Sequence, residues 1–156
     1  MKKLLILVAA FLCLGIAAQA QSTMKKGDLV VSARTGFSNV GIPVAISADY
    51  GIVNGFIDGN AAVSVGGELG IFAGSTEDRG PFVDFSLAAR GNFHYEFVQN
   101  LDTYAGLHLG FTAGDVLCPY ITANVGARYY FGNWGVNVEL GGGTSLAGSV
   151  GVSLKL

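Results

Sequence analysis

Across residues 121–140, ITANVGARYYFGNWGVNVEL, apolar and polar side chains alternate on either side of a Gly-Asn pair. Alternation with a period of two marks strands, because successive side chains point to opposite faces of the pleat. Gly132 and Asn133 predict a two-residue hairpin turn that opens with glycine. In that register Phe131 faces Trp134, Tyr129 faces Val136 and Ala127 faces Val138. One face is then wholly apolar, from Ile121 and Val125 to Val138 and Leu140. The other collects Thr122, Asn124, Gly126, Arg128, Tyr130, Asn137 and Glu139. Arg128 falls opposite Asn137 and diagonal to Glu139, so the polar face is expected to pair its own charges.

The same division recurs along the chain and predicts eight strands, over about 28–38, 43–53, 61–72, 82–97, 104–111, 121–131, 134–140 and 146–156. Asn54-Gly55, Gln99-Asn100 and the Gly-rich stretch 142–145 read as turns, with Asp58-Gly59 as a second turn signal after Asn54-Gly55. Residues 74–80 and 112–119 read as surface loops, the longest of four short connections at that end. Every apolar face lacks charge. The polar faces carry Arg34, Asp49, Glu68, Asp84, Arg90, His94, His108, Arg128, Glu139 and Lys155.

Composition decides which face meets water. The chain is 51% hydrophobic and only 13% charged, with 24 glycines in 156 residues, and no apolar run of helix length follows the N-terminus. Eight solvated strand faces would need far more Lys and Glu than this. An all-β fold, a closed antiparallel eight-stranded transmembrane barrel in up-and-down meander order, resolves the conflict: lipid covers the apolar wall and the charges pair within. Eight strands leave an interior just wide enough for side chains to fill. Arg34, Glu68, Arg90, Arg128 and Glu139 are therefore expected to form a structural charge network that plugs the lumen. Tyr50, Phe93, Tyr95, Tyr129, Phe131 and Trp134 gather toward the turn end and predict an aromatic girdle at one membrane interface, with Phe37, Phe85 and Phe111 toward the other.

The N-terminus reads separately. Lys2 and Lys3 precede an apolar run from Leu4 to Ile16, and Ala18-Gln19-Ala20 supplies a small-x-small cleavage site. This is the pattern of a secretory signal peptide, residues 1–20, ahead of one barrel domain over residues 21–156. Removing two of the nine basic residues leaves seven against eleven acidic ones, a net charge of −4, and Cys118 as the one cysteine. One cysteine closes no internal disulfide, and the dispersed acidity points to no nucleic-acid partner.

Four pieces together, SVGGELG from Ser64, ARGNFHYEF from Ala89, YAGLHLGF from Tyr104 and VGARYYFGNW from Val125, resemble the small outer-membrane β-barrel family common in Bacteroidetes, and the chain is similar also to eight-stranded barrels of the OmpX and OmpA type. The resemblance spans residues 26–156. It implies a Gram-negative outer membrane, a periplasmic N-terminus and periplasmic turns, and insertion by the barrel-assembly machinery. Such barrels usually end in an aromatic residue. Here the alternation Val152, Leu154, Leu156 stands in that place as the expected assembly signal.

Chemistry is sparse by comparison. His94 and His108 share the polar faces with Ser86, Asp84 and Glu96, but no metal-ligand spacing, phosphate loop or nucleophile elbow occurs, so neither enzyme activity nor a metal or cofactor is expected. Short connections offer little surface for ligand recognition. The reading that follows is a structural or accessory barrel, a subunit of a larger outer-membrane assembly with another outer-membrane protein as its partner. The alternatives are a small channel through the charged lumen and a soluble lipocalin-like carrier.

Overall fold

A computed structural model describes residues 24–36, 41–141 and 148–156. The expected signal peptide, Phe37 and the turn at 142–145 lie outside them. Eight strands follow one another around a closed barrel: β1 (Leu29–Gly36), β2 (Gly41–Phe56), β3 (Ala61–Thr76), β4 (Gly80–Val98), β5 (Leu101–Ala113), β6 (Leu117–Phe131), β7 (Trp134–Gly141) and β8 (Gly148–Lys155). Each pairs antiparallel with its neighbour in sequence, and β1 pairs with β8 to close the ring. Closure leaves no unpaired sheet edge, which is what lets strands stand in a solvent that cannot hydrogen-bond the backbone.

The hairpin read from the sequence has the predicted register: Phe131 pairs with Trp134, Tyr129 with Val136, Ala127 with Val138 and Arg128 with Asn137. Gly132 takes φ +73°, the left-handed conformation that glycine adopts without cost. The turn between β4 and β5 likewise falls at Gln99 and Asn100, where Asn100 has φ +66°.

Between β2 and β3 the chain departs from the sequence reading. The turn lies at Ile57, Asp58, Gly59 and Asn60, the first three with positive φ, and the Asn60 N–H donates to the Ile57 carbonyl at 3.2 Å. Asn54-Gly55 is not the turn but part of an irregular stretch of β2, whose register shifts between Gly51 and Val53 and again between Asn54 and Phe56. Gly55, at φ +86°, supplies the backbone for the second shift. A bulge and a turn ask for the same residue types, which is why the dipeptide misleads.

The opposite end differs too. Residues 74–76 and 80 continue the β3–β4 ladder, pairing Gly74 with Phe82, Ser75 with Pro81 and Thr76 with Gly80. Thr112 and Ala113 pair with Cys118 and Leu117 in the same way. Both expected loops shrink to three residues, 77–79 and 114–116, and the strands beside them run longer than expected, β4 reaching 19 residues where 82–97 was expected. Small and charged side chains read as loop, yet a ladder needs only backbone groups that pair.

Burial runs opposite to that of a soluble protein. Ile46, Leu69, Leu109, Ile121, Val136 and Leu140 are more than half exposed on the outside. Arg34, Asp49, Glu68, Arg90, Arg128 and Glu139 are each at most 3% exposed on the inside. A carrier of lipocalin type holds its apolar side chains within, so the arrangement corrects that alternative. The small apolar cluster inside, Met24, Val30 and Ala62, sits at the turn end.

Candidate functional site

The inward faces meet across the barrel axis in a continuous charged network. Its centre is Arg90 of β4, whose guanidinium reaches three carboxylates on three different strands: Nε to Asp49 of β2 at 3.0 Å, Nη1 to Glu68 of β3 at 2.9 Å and Nη2 to Glu139 of β7 at 2.8 Å. Arg34 of β1 pairs with both Glu68 and Glu139, so these two carboxylates lie between two guanidiniums. Tyr104 donates its hydroxyl to Glu139 at 2.7 Å. Six donors and acceptors placed on separate strands thereby close on one another, as burial of charge requires.

Toward the turn end Arg128 forms the second node. It pairs with Asp49, lies 3.5 Å from Asp102 and stacks 4.4 Å from the Tyr104 ring centroid. The pairing with Glu139 expected from their diagonal placement does not form. Asp49 and Asp102 take Arg128, while Glu139 turns to Arg34 and Arg90. Register placed Arg128 and Glu139 correctly on one face, but partners in a narrow barrel lie across the lumen as readily as along the sheet.

Inward glycines make room for these large groups. A Cβ on Gly126 would stand 2.4 Å from the Tyr104 ring, and one on Gly70 would stand 2.3 Å from the Ser86 hydroxyl. Polar side chains fill the remaining layers: Asn124 donates to Asn92 at 3.1 Å, Asn92 to Asp49 at 3.3 Å and Asn137 to Ser153 at 2.7 Å.

His94 of β4 lies between Ser64 and Asp102, each at 2.8 Å, with Ser64 Oγ at Nε2 and Asp102 Oδ1 at Nδ1. The order serine, imidazole, carboxylate is that of an acyl-transfer triad. All three residues are at most 1% exposed, so the Ser64 hydroxyl is buried inside the barrel. The imidazole is instead fixed in orientation by its two neighbours. His108 of β5 is fully buried, its Nδ1 3.9 Å from Glu68. One ligand atom from each of Glu68, His108 and Glu139 falls within 4.8 Å of the others, a spacing that suits a metal ion. The same two carboxylates are occupied by Arg34 and Arg90, which opposes one.

At the far rim Arg79 of the three-residue turn is held by a forked pair of bonds to Asp84, Nη1 and Nη2 at 2.9 and 2.8 Å, and by Asp115 of the neighbouring turn. The hydrogen bonds that the guanidinium donates to Asp84 and Asp115 push its proton affinity upward from its ordinary value. The ring of Phe82 lies 4.3 Å beneath it. An open cleft of about 410 Å³ borders this clamp, with Cys118 on its wall.

The five expected network residues are all brought together. Asp49, Asp102 and His94 join them. Asp49 and His94 were legible as inward-facing; Asp102 precedes Tyr104 by two residues and shares its face, a signal that was present but fell outside the strand as read. Of the expected aromatic residues, Tyr50, Phe93, Tyr129, Phe131 and Trp134 are 40–67% exposed on the outer wall near the turn end, and Tyr95 is half-buried against Phe97, ring centroids 4.6 Å apart. Phe97, 70% exposed, extends that row. Phe85 and Phe111 are exposed toward the other end, and Val152 and Leu156 face outward on the last strand with Leu154 half-buried between them.

Closed strand order, apolar outer wall and charged interior define the class: this is the fold of a transmembrane β-barrel. A solved structure described as "De novo design of transmembrane beta-barrels" matches 85% of this chain and 98% of its own, at 19% identity and a TM-score of 0.59. No family model and no curated protein matches the chain. The likeness therefore reaches the fold and no particular family.

Proposed function

We propose that the chain is an integral outer-membrane β-barrel with a closed polar lumen and a structural or accessory role, a subunit of a larger outer-membrane assembly rather than an enzyme. The observation that carries the reading is Arg90, which ties β2, β3, β4 and β7 together across the axis. A conducting path would have to part these pairs and hydrate them, whereas opposed charges at hydrogen-bond distance favour a sealed interior. The resemblance to small Bacteroidetes barrels supports the outer membrane, the periplasmic N-terminus after cleavage at Ala20 and insertion by the barrel-assembly machinery, with Val152, Leu154 and Leu156 as its signal. The outer aromatic rows support a girdle at the lipid interface.

Planar bilayer recording tests the closed lumen. Purified barrel is expected to give no stepwise conductance in molar salt. Steady unitary currents that change with Arg128→Ala would establish a channel instead. Isolation from mild-detergent extracts tests the accessory role: a stoichiometric membrane partner is expected, and a lone monomer would contradict it.

A further inference from the structure

The chain ahead of β1 turns inward across the turn-end mouth of the barrel. β1 and β2 pair as far as Leu29 and Tyr50. Beyond that pair Gly27 donates its N–H to the Gly51 carbonyl, and Gly51 donates to the Asp28 carbonyl, each at 2.9 Å. Gly27 takes φ +95°, a left-handed bend that redirects residues 24–26. Met24 then lies inside, 1% exposed, against the inward-facing Val30 and Ala62.

The seat is shaped for this segment. A Cβ on Gly51 would stand 2.0 Å from the Lys25 carbonyl oxygen and 3.3 Å from the Met24 sulfur. The Gly51 backbone is not left-handed, so its missing side chain serves the approach of residues 24 and 25 rather than a turn. The β2–β3 register shifts immediately after Gly51, and a flexible thioether suits the irregular space that a shift leaves. Gly51 is the ladder partner of Ser64, and Ala62 is the partner of His94. Met24 therefore packs at the turn-side end of the Ser64–His94–Asp102 alignment.

The outer fastenings are weak by comparison. Lys25 donates its backbone N–H to the Asp28 carboxylate at 2.9 Å, and Lys26 donates to the Asn54 side-chain oxygen at 3.0 Å, both in exposed surroundings where water competes. Burial of one methionine side chain is what holds the segment in.

We infer that residues 24–26 form a lid, hinged at Gly27 and latched by Met24, that closes the turn end of the lumen and opens by release of that one side chain. Opening admits water to Ser64, His94 and Asp102 while the arginine network farther in stays paired. The inference rests on the closed lumen proposed above, because a lumen open at the network would leave the lid nothing to seal.

A thiol placed beneath the lid tests it. Cys13→Ser and Cys118→Ser remove the native thiols, Ser64→Cys supplies the probe, and the chain folded into phosphatidylcholine vesicles is treated with a small charged methanethiosulfonate. Labelling is expected to be at least about a hundredfold slower than in the urea-unfolded chain. Gly51→Ala, which drives a methyl group against Lys25, and Met24→Ala, which withdraws the latch, are each expected to speed labelling about tenfold or more while the barrel stays folded. Labelling that stays slow in both folded variants would overturn the lid, as would fast labelling with Met24 and Gly51 in place. In a barrel that carries no current these results bear on the lid alone; bilayer conductance would overturn the closed lumen and the lid with it. Should Ser64→Cys fail to fold, oxidation of Met24 by hydrogen peroxide in the unsubstituted chain reads the latch. Its sulfoxide is expected to form about tenfold or more slower than in the unfolded chain and to form faster with Gly51→Ala. Equal rates in folded and unfolded chain would overturn the lid.

Discussion

Arg90 shows how one side chain can be both costly and indispensable. Taking a guanidinium and three carboxylates out of water costs several kcal/mol per ion, and only their mutual geometry offsets it. Removing the cation leaves Asp49, Glu68 and Glu139 facing one another with Arg34 and Arg128 as the remaining counter-charges. Arg90→Ala is expected to destabilise the folded barrel by about 3–5 kcal/mol in urea titrations in vesicles. Arg79→Ala, at the partly exposed rim, is expected to change stability far less than Arg90→Ala, because water replaces its partners there. Equal losses for the two would argue that burial does not set the value of these pairs.

The hairpin of β6 and β7 was fully legible, down to Phe131 opposite Trp134, because strict alternation and a Gly-Asn turn agree on a single register. Gly132→Ala strains a backbone at φ +73° and is expected to cost about 1 kcal/mol in the same titrations, with the pairing retained. Legibility failed where local chemistry is ambiguous. Asn54-Gly55 has the composition of a turn and forms a bulge, and the Gly, Ser and Thr of residues 74–76 read as loop and pair as strand. The lumen partners were hidden for a different reason. Period-two alternation names which residues face inward, but which of them meet is fixed by barrel closure and shear, which Arg128 reveals by taking Asp49 from a strand far away in the ring. The Ser64–His94–Asp102 alignment arises in the same way and has no sequence spacing that announces it.

At the scale of the whole molecule, burial is inverted: apolar side chains outside, charge within, and a backbone ladder without edges. Such a wall has no stable place in water, since a continuous exposed apolar surface of this kind drives association. Lipid is the solvent that matches it, and the outward aromatic row at the turn end marks where that solvent should meet the headgroups. Trp134, the chain's one tryptophan, stands in this row and is 59% exposed, so its fluorescence reports on the wall without any substitution. The most direct measurement is quenching of Trp134 in folded barrel reconstituted with lipids brominated at defined depths along the acyl chain. The account predicts blue-shifted emission, quenched most strongly by bromines nearest the headgroups. Water-like emission from folded protein, unaffected by brominated lipid at any depth, would contradict it.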